Sequence, residues 1–193
     1  ASITNGTGQN VFDDNLEKTY TGRLIINPWE FIKIGASFGY GRHRSNMAGN
    51  PEDRRTRIGA DLTLEKWNWK LEAEFVDGYD VGGSWVGGGC GATPTYVNGD
   101  FWKQGYFTQL MYKTKWEIQP VVKYAFYDTY INEDKDALGV GETEAQRRYT
   151  DITFGLNYFF NEWVRLQVNY TNTTEEILGT SSSFIVTQVQ VKF

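Results

Sequence analysis

Basic side chains at alternate positions are the residues of this chain best suited to chemistry. Arg55 and Arg57 are two residues apart, so that in a strand both side chains lie on one face. An arginine fork binds a phosphate or carboxylate through two parallel hydrogen bonds. The same alternation puts further cations on the polar sides of other predicted strands: Lys33, Lys70, Lys123 and Arg165. These six side chains are our candidates for contacts with small anions.

A purely structural use of the same charges is the alternative. Glu72 and Glu74 share the polar side of the predicted strand that follows Arg55 and Arg57, and cross-strand ion pairs are common in sheets. The polar sides carry eight cations and five anions, which are Arg23, Lys33, Arg55, Arg57, Lys70, Lys123, Arg165 and Lys192 against Asp61, Glu72, Glu74, Glu117 and Asp151. Since the whole chain has 19 basic and 24 acidic residues, the excess acid lies in the predicted loops. Anion contact and structural pairing both remain open.

Other kinds of chemistry have little support in the sequence. The single histidine, His43, lies between Arg42 and Arg44 with no serine–acid arrangement evident around it, so we expect no enzyme. The single cysteine, Cys90, excludes an internal disulfide framework and a cysteine-based zinc site. The glycine-rich run 87–91 is not followed by Lys-Ser or Lys-Thr, as a phosphate-binding loop would be. We therefore expect no cofactor and no metal, and a net charge of -5 argues against nucleic acid as a partner.

Strands with one apolar and one polar face account for most of the chain. At its end, Ile185, Thr187, Val189, Val191 and Phe193 alternate with polar residues. The same pattern recurs and predicts nine antiparallel strands within residues 18–193, with residues 1–17 as an N-terminal loop. The connections alternate in length, with short turns near 27–30, 66–68, 113–115 and 160–162 and long loops near 43–53, 77–100, 128–146 and 172–181. An all-β fold follows, and bacterial outer-membrane barrels alternate their connections in this way.

The bulky aromatic residues mark one end of these strands. Six of them lie at the short turns: Trp29, Trp67, Trp69, Trp116, Trp163 and Phe193. Amphipathic rings prefer the headgroup layer of a membrane, where the ring is shielded and its polar atom stays wet. We therefore predict a transmembrane antiparallel β-barrel with an aromatic girdle. A soluble sandwich or lipocalin-like barrel is the competing fold.

Three segments resemble the phosphate-selective porin O/P family. They are the hairpin 151–170, the hairpin 105–127 with its core Trp116–Val122, and the closing run 188–193. That resemblance implies a bacterial outer-membrane porin that forms homotrimers of 16-stranded barrels and takes up small anions passively, with the outer-membrane lipid as its surroundings. This chain would match about nine C-terminal strands of such a barrel.

Strand parity leads to the same expectation. In a meander of nine strands the first and the last are parallel, whereas bacterial single-chain barrels have an even number of strands. Either residues 1–17 contain a tenth strand, or the chain is the C-terminal portion of a 16- to 18-stranded porin whose other strands are supplied by a missing segment or by another chain. We favour the second, because residues 5–10 and 13–15 have the composition of a loop. The expected function is diffusion of small ions or solutes, with selectivity for phosphate-like anions. The alternative is a structural barrel that docks a partner protein through its long loops.

Overall fold

One antiparallel sheet of ten strands dominates the structure. The computed structural model describes residues 1–4, 18–43, 53–81, 84–86, 95–97, 100–129, 131, 148–176 and 179–192. The strands are β1 (Ser2–Thr4), β2 (Thr19–Trp29), β3 (Ile32–His43), β4 (Asp53–Lys66), β5 (Trp69–Val81), β6 (Ser84–Val86), β7 (Thr95–Val97), β8 (Phe101–Tyr112), β9 (Ile118–Asp128), β10 (Arg148–Phe159), β11 (Val164–Glu175) and β12 (Thr180–Val191). The large sheet has the order β1-β2-β3-β4-β5-β8-β9-β10-β11-β12, while β6 and β7 pair only with each other.

Each strand of the large sheet pairs with its neighbour in sequence, apart from the β6–β7 excursion between β5 and β8. Among the described residues, no pairing joins β12 to β1 or β2, so the sheet has two edges there. The described residues contain no helix that is long and apolar enough to cross a membrane.

All nine predicted strands are present, as β2–β5 and β8–β12, and the all-β fold is confirmed. The prediction of a loop over 1–17 is wrong at its start, because Ser2–Thr4 pairs with the first three residues of β2. This short strand brings the count in the sheet to ten. The parity argument made for nine strands therefore does not apply to the observed sheet.

Three predicted connections are also corrected. The loop expected at 172–181 is mostly strand, because β11 continues to Glu175 and β12 begins at Thr180. The turn expected at 27–30 lies at Glu30 and Phe31, because β2 continues to Trp29 through an irregularity in register after Ile26. Pro28 has no N–H for the ladder, which is why the irregularity falls here. The loop expected from Asp77 begins only after Val81, since the end of β5 is hydrogen-bonded to both β4 and β8.

The register gives every strand the same two faces. One continuous cross-strand row runs through the partners Leu24, Ala36, Ala60, Phe75, Tyr106, Phe126 and Thr150. The face that contains this row is called the apolar face below, and the opposite face, which contains Arg57, Lys103 and Lys123, is called the polar face. The side chains divide between the faces as the alternation predicts.

Burial is inverted relative to a water-soluble protein. Large apolar side chains such as Leu24 (66% exposed) and Val189 (61%) are open on the apolar face. Among the described residues only two hydrophobic side chains are buried, Phe101 and Met111, and both lie on the polar face. Within the described part of the chain, the buried polar side chains of the polar face are Asp80, Asn157, Thr171 and Glu175, while the buried Asp128 lies on the apolar face at its long-loop end. Soluble domains bury their apolar faces instead, so the apolar face of this sheet needs an apolar environment outside the described chain.

Crowding on the polar face makes a first prediction. A Cβ at Gly35 would lie 2.7 Å from Oδ1 of Asp61, whose Oδ2 is held by Arg23 at 2.7 Å. We expect Gly35→Val to lower the free energy of unfolding by about 1–3 kcal/mol, because overpacking must displace this ion pair. Ala36→Val is the matched control, since Ala36 is exposed on the opposite face of the same strand. Guanidinium unfolding followed by tryptophan fluorescence measures both, and equal losses for the two variants would contradict the assignment of the faces.

Candidate functional site

A cleft on the polar face brings together three cations. The cavity has a volume of about 480 Å³ and lies across β4, β5, β8 and β9. Its lining includes the basic residues Arg57, Lys103 and Lys123, with Glu74, Phe107 and Tyr127. In the cleft, Arg57 and Lys123, two of the side chains predicted for anion contact, line a concave surface.

The strand register and one glycine create the cleft. Arg57, Gly78 and Lys103 are direct neighbours in a single cross-strand row, so the two cations flank a position without a side chain. A Cβ at Gly78 would lie 3.0 Å from both Cδ and Nε of Arg57. The glycine therefore leaves the space in which the arginine side chain lies across β5.

Asp80 forms ion pairs with two of the three cations. Its carboxylate is 2.5 Å from Nη1 of Arg57 through Oδ1 and 2.9 Å from Nζ of Lys103 through Oδ2. Asp80 is only 2% exposed, whereas the side chains of Arg57 and Lys103 are 40% and 18% exposed. A buried carboxylate between two cations is well stabilised, and it reduces the field that either cation presents to a solute.

Lys123 has a different environment. Its neighbours across the sheet are the neutral side chains Gln109 and Thr153, and its ammonium is 4.7 Å from the centroid of the Phe107 ring. Among the described residues no carboxylate forms an ion pair with Lys123. A nearby aromatic face stabilises a cation without cancelling its charge. Lys123 is therefore the cation of the cleft with its charge available to a solute.

The other predicted anion contacts do not converge. Arg55 shares the polar face with Arg57, directly opposite Asp80, but does not line the cleft. Lys70 is ion-paired at 2.7 Å to Glu72, two residues away on the same strand, so this pair is not a cross-strand pair of the kind that the structural alternative expects. Lys33 lies opposite Thr63 near the short turns, and Arg165 donates a hydrogen bond to Gln190 two strands away from Lys123. These four residues are spread over the polar face.

Lys103 and Asp80 were missed by the sequence analysis. Asp80 falls in the stretch interpreted as a loop, and Lys103 lies in the strand whose alternation is least regular. Phe101, Phe107 and Met111 share the polar face with Lys103, which removes the contrast between the two sides. The alternation of Lys103 with Trp102 and Gln104 was still a weak indication that Lys103 lies on the opposite face from these two residues.

The predicted girdle residues lie where the short turns place them. Trp29 ends β2, Trp69 begins β5, and Trp67, Trp116 and Trp163 lie in the turns β4–β5, β8–β9 and β10–β11. All five are exposed. Phe193 lies outside the described residues. At the long-loop end of the apolar face, the indole N–H of Trp102 donates to Asp77 and the hydroxyl of Tyr79 donates to Asp100.

The double ion pair makes a second prediction. Asp80→Asn leaves Arg57 and Lys103 side by side without their counter-charge, and we expect it to lower the free energy of unfolding by about 2 kcal/mol, between the values for surface and buried pairs. Glu117→Gln is the control, because the Lys113–Glu117 pair is about half exposed and should contribute less than about 0.5 kcal/mol. Guanidinium denaturation measures the free energy of unfolding of both variants. An unchanged value for Asp80→Asn would mean that the two ion pairs of Asp80 contribute no stability.

Searches against protein-family models and against curated proteins find no match for this chain. The resemblance to the phosphate-selective porin O/P family therefore stays a prediction, and the function has to be inferred from the sheet and the cleft.

Proposed function

We propose that this chain forms transmembrane strands of a bacterial outer-membrane porin, with its apolar face against lipid and its polar face along a water-filled path. The inverted burial carries the proposal. A sheet with open Leu, Ile, Phe and Val side chains on one face and buried Asp, Asn and Thr on the other matches the lipid-facing and lumen-facing sides of a membrane barrel.

The height of the apolar face fits a bilayer. On β5 the aromatic residues Trp69 and Tyr79 bound this face, ten residues apart, with Asp77 on the same face next to the long-loop end. At ~3.3 Å per residue this is ~33 Å along the strand, and a tilt of 35–45° reduces it to a height of ~25 Å. The rings at both ends have polar partners or open surroundings, as interfacial rings do.

The two edges of the sheet complete the argument for a barrel. Each unsatisfied backbone group in lipid costs several kcal/mol, so spanning sheets close on themselves. Within the part of the chain that the structure describes, β2 pairs with β1 only over Thr19, Tyr20 and Thr21, and β12 pairs only with β11. The proposal assigns further strands to both edges, in a barrel of 16–18 strands; the homotrimer stays a prediction from the resemblance.

Selectivity is the second part of the proposal. We assign a preference for small anions to the polar face, because the cleft holds three cations against the carboxylates Asp80 and Glu74. Cationic side chains that line a pore favour anions through their field. Since Asp80 compensates Arg57 and Lys103, Lys123 takes the larger role that the sequence analysis gave to Arg55 and Arg57.

A planar bilayer under a KCl gradient tests this proposal. We expect the wild-type protein to conduct with chloride preference, and Lys123→Glu to lower the chloride-to-potassium permeability ratio roughly three- to tenfold, because two units of charge change beside the path. Lys123→Gln should give an intermediate ratio. The reversal potential is the measurement.

Lys115→Glu is the matched control, since it makes the same charge change at an exposed turn residue. We expect its reversal potential to equal that of the wild type. If the wild type conducts with cation preference, the proposal of a porin stands and anion selectivity is refuted. The absence of any channel, with gel mobility unchanged by boiling, would refute the membrane barrel itself.

A further inference from the structure

Lys66 is a cation held between two aromatic rings at the short-turn end of the apolar face. It is the last residue of β4, and its ammonium is 4.9 Å from the ring centroids of both Phe31 and Trp67. Among the described residues no carboxylate forms an ion pair with it. The two rings position the charge, and its remaining side is open to a ligand.

Backbone contacts fix this arrangement. The N–H of Glu65 donates to the carbonyl of Phe31 at 2.9 Å, which ties the β2–β3 turn to the end of β4. The ring of Phe31 also stacks on that of Trp29, with their centroids 6.3 Å apart. The ring beside Lys66 is therefore fixed by its own turn and by the neighbouring hairpin.

Trp67 adds an independent observation. It occupies the first position of the two-residue turn between β4 and β5 with a φ of 57°, a conformation that favours glycine. Its side chain is 86% exposed, so no packing within the described chain compensates the unfavourable backbone. Backbone strain that local packing does not explain is concentrated at functional positions.

We propose that Lys66, between Phe31 and Trp67, binds the phosphate of a membrane phospholipid headgroup. The inference rests on the proposed function, because it requires the apolar face to lie in lipid. Lys66 is on that face, as its register partner Trp69 shows, and at the edge where the headgroups begin. A lysine stem packs along apolar surface while its ammonium reaches the phosphate layer, and interfacial rings flank it there.

Native mass spectrometry of the detergent-solubilised protein tests this site. The probe is dioleoyl phosphatidylglycerol, compared with dioleoylglycerol, which has the same chains without the phosphate. We expect the wild type to bind the phospholipid more tightly than dioleoylglycerol, and Lys66→Gln to weaken phospholipid binding about fivefold. Lys113→Gln is the matched control, because Lys113 is at the same end of the sheet and 5.2 Å from the Phe159 ring but is already paired with Glu117 at 3.0 Å.

A second variant separates a lipid role from a structural one. Trp67→Gly removes the ring and relieves the backbone, so we expect weaker phospholipid binding with no loss of unfolding free energy. Loss of stability with unchanged lipid binding would overturn the site. Equal effects of Lys66→Gln and Lys113→Gln would also overturn it, as would displacement of the lipid by an equal concentration of inorganic phosphate, which would indicate a free-anion site.

Different results refute the lipid site and the porin. A wild type that conducts, but binds phosphatidylglycerol no better than dioleoylglycerol, refutes only the lipid site. A wild type that neither conducts nor shifts its gel mobility on heating refutes the proposed function. Lys66→Gln should conduct as the wild type does, because Lys66 is not on the polar face.

Discussion

Cross-strand backbone pairing determines on which face of the sheet each side chain lies. A shift of one residue between two strands would exchange their faces, and with them the apolar surface and the cleft. In the described sheet an uninterrupted register connects β3 through β5, β8, β9 and β10 to β12. The only register irregularity among the described strands lies in β2, between Ile26 and Trp29, which is next to the edge. Arg57 and Lys103 meet across Gly78 because the register is maintained over these strands.

Charge compensation then decides what the polar face does. Four of the sequence-predicted or newly found cations on this face have a carboxylate partner, as in Arg23–Asp61, Arg57–Asp80, Lys103–Asp80 and Lys70–Glu72. Lys70–Glu72 lies within β5, but the other pairs connect different strands, so anion contact and structural pairing are not exclusive uses of one surface. Lys123 differs because its cross-strand neighbours are neutral. A charge without an ion-pair partner in the cleft would act on a solute at close range, where Coulomb interaction is strongest.

The regular part of this fold could be predicted from the sequence, and the irregular part could not. Alternation identifies nine long strands because each has several apolar residues two apart. Ser2–Thr4 has three residues, too few for a period, and its strand conformation depends on pairing with β2. The end of β5 reads as loop because Asp77, Gly78 and Asp80 disfavour strands, yet hydrogen bonds from both neighbours hold it in the sheet. Asp80 and the role of Lys123 depend on cross-strand distances, which no local pattern contains.

The short-turn end of the sheet is held together by a repeated backbone contact. In four places a turn carbonyl accepts a hydrogen bond from the end of a neighbouring strand: Phe31 from Glu65, Asn68 from Lys113, Glu117 from Phe159, and Trp163 from Lys192. Next to these contacts, lysines lie over rings, as Lys66 does over Phe31 and Lys192 over Trp163. The hydrogen bonds that satisfy the turn backbone therefore also hold these rings and cations at the same height at the short-turn end of the sheet. A sheet that crosses a membrane needs such a row of side chains at one height, since its position along the bilayer normal depends on interfacial anchors.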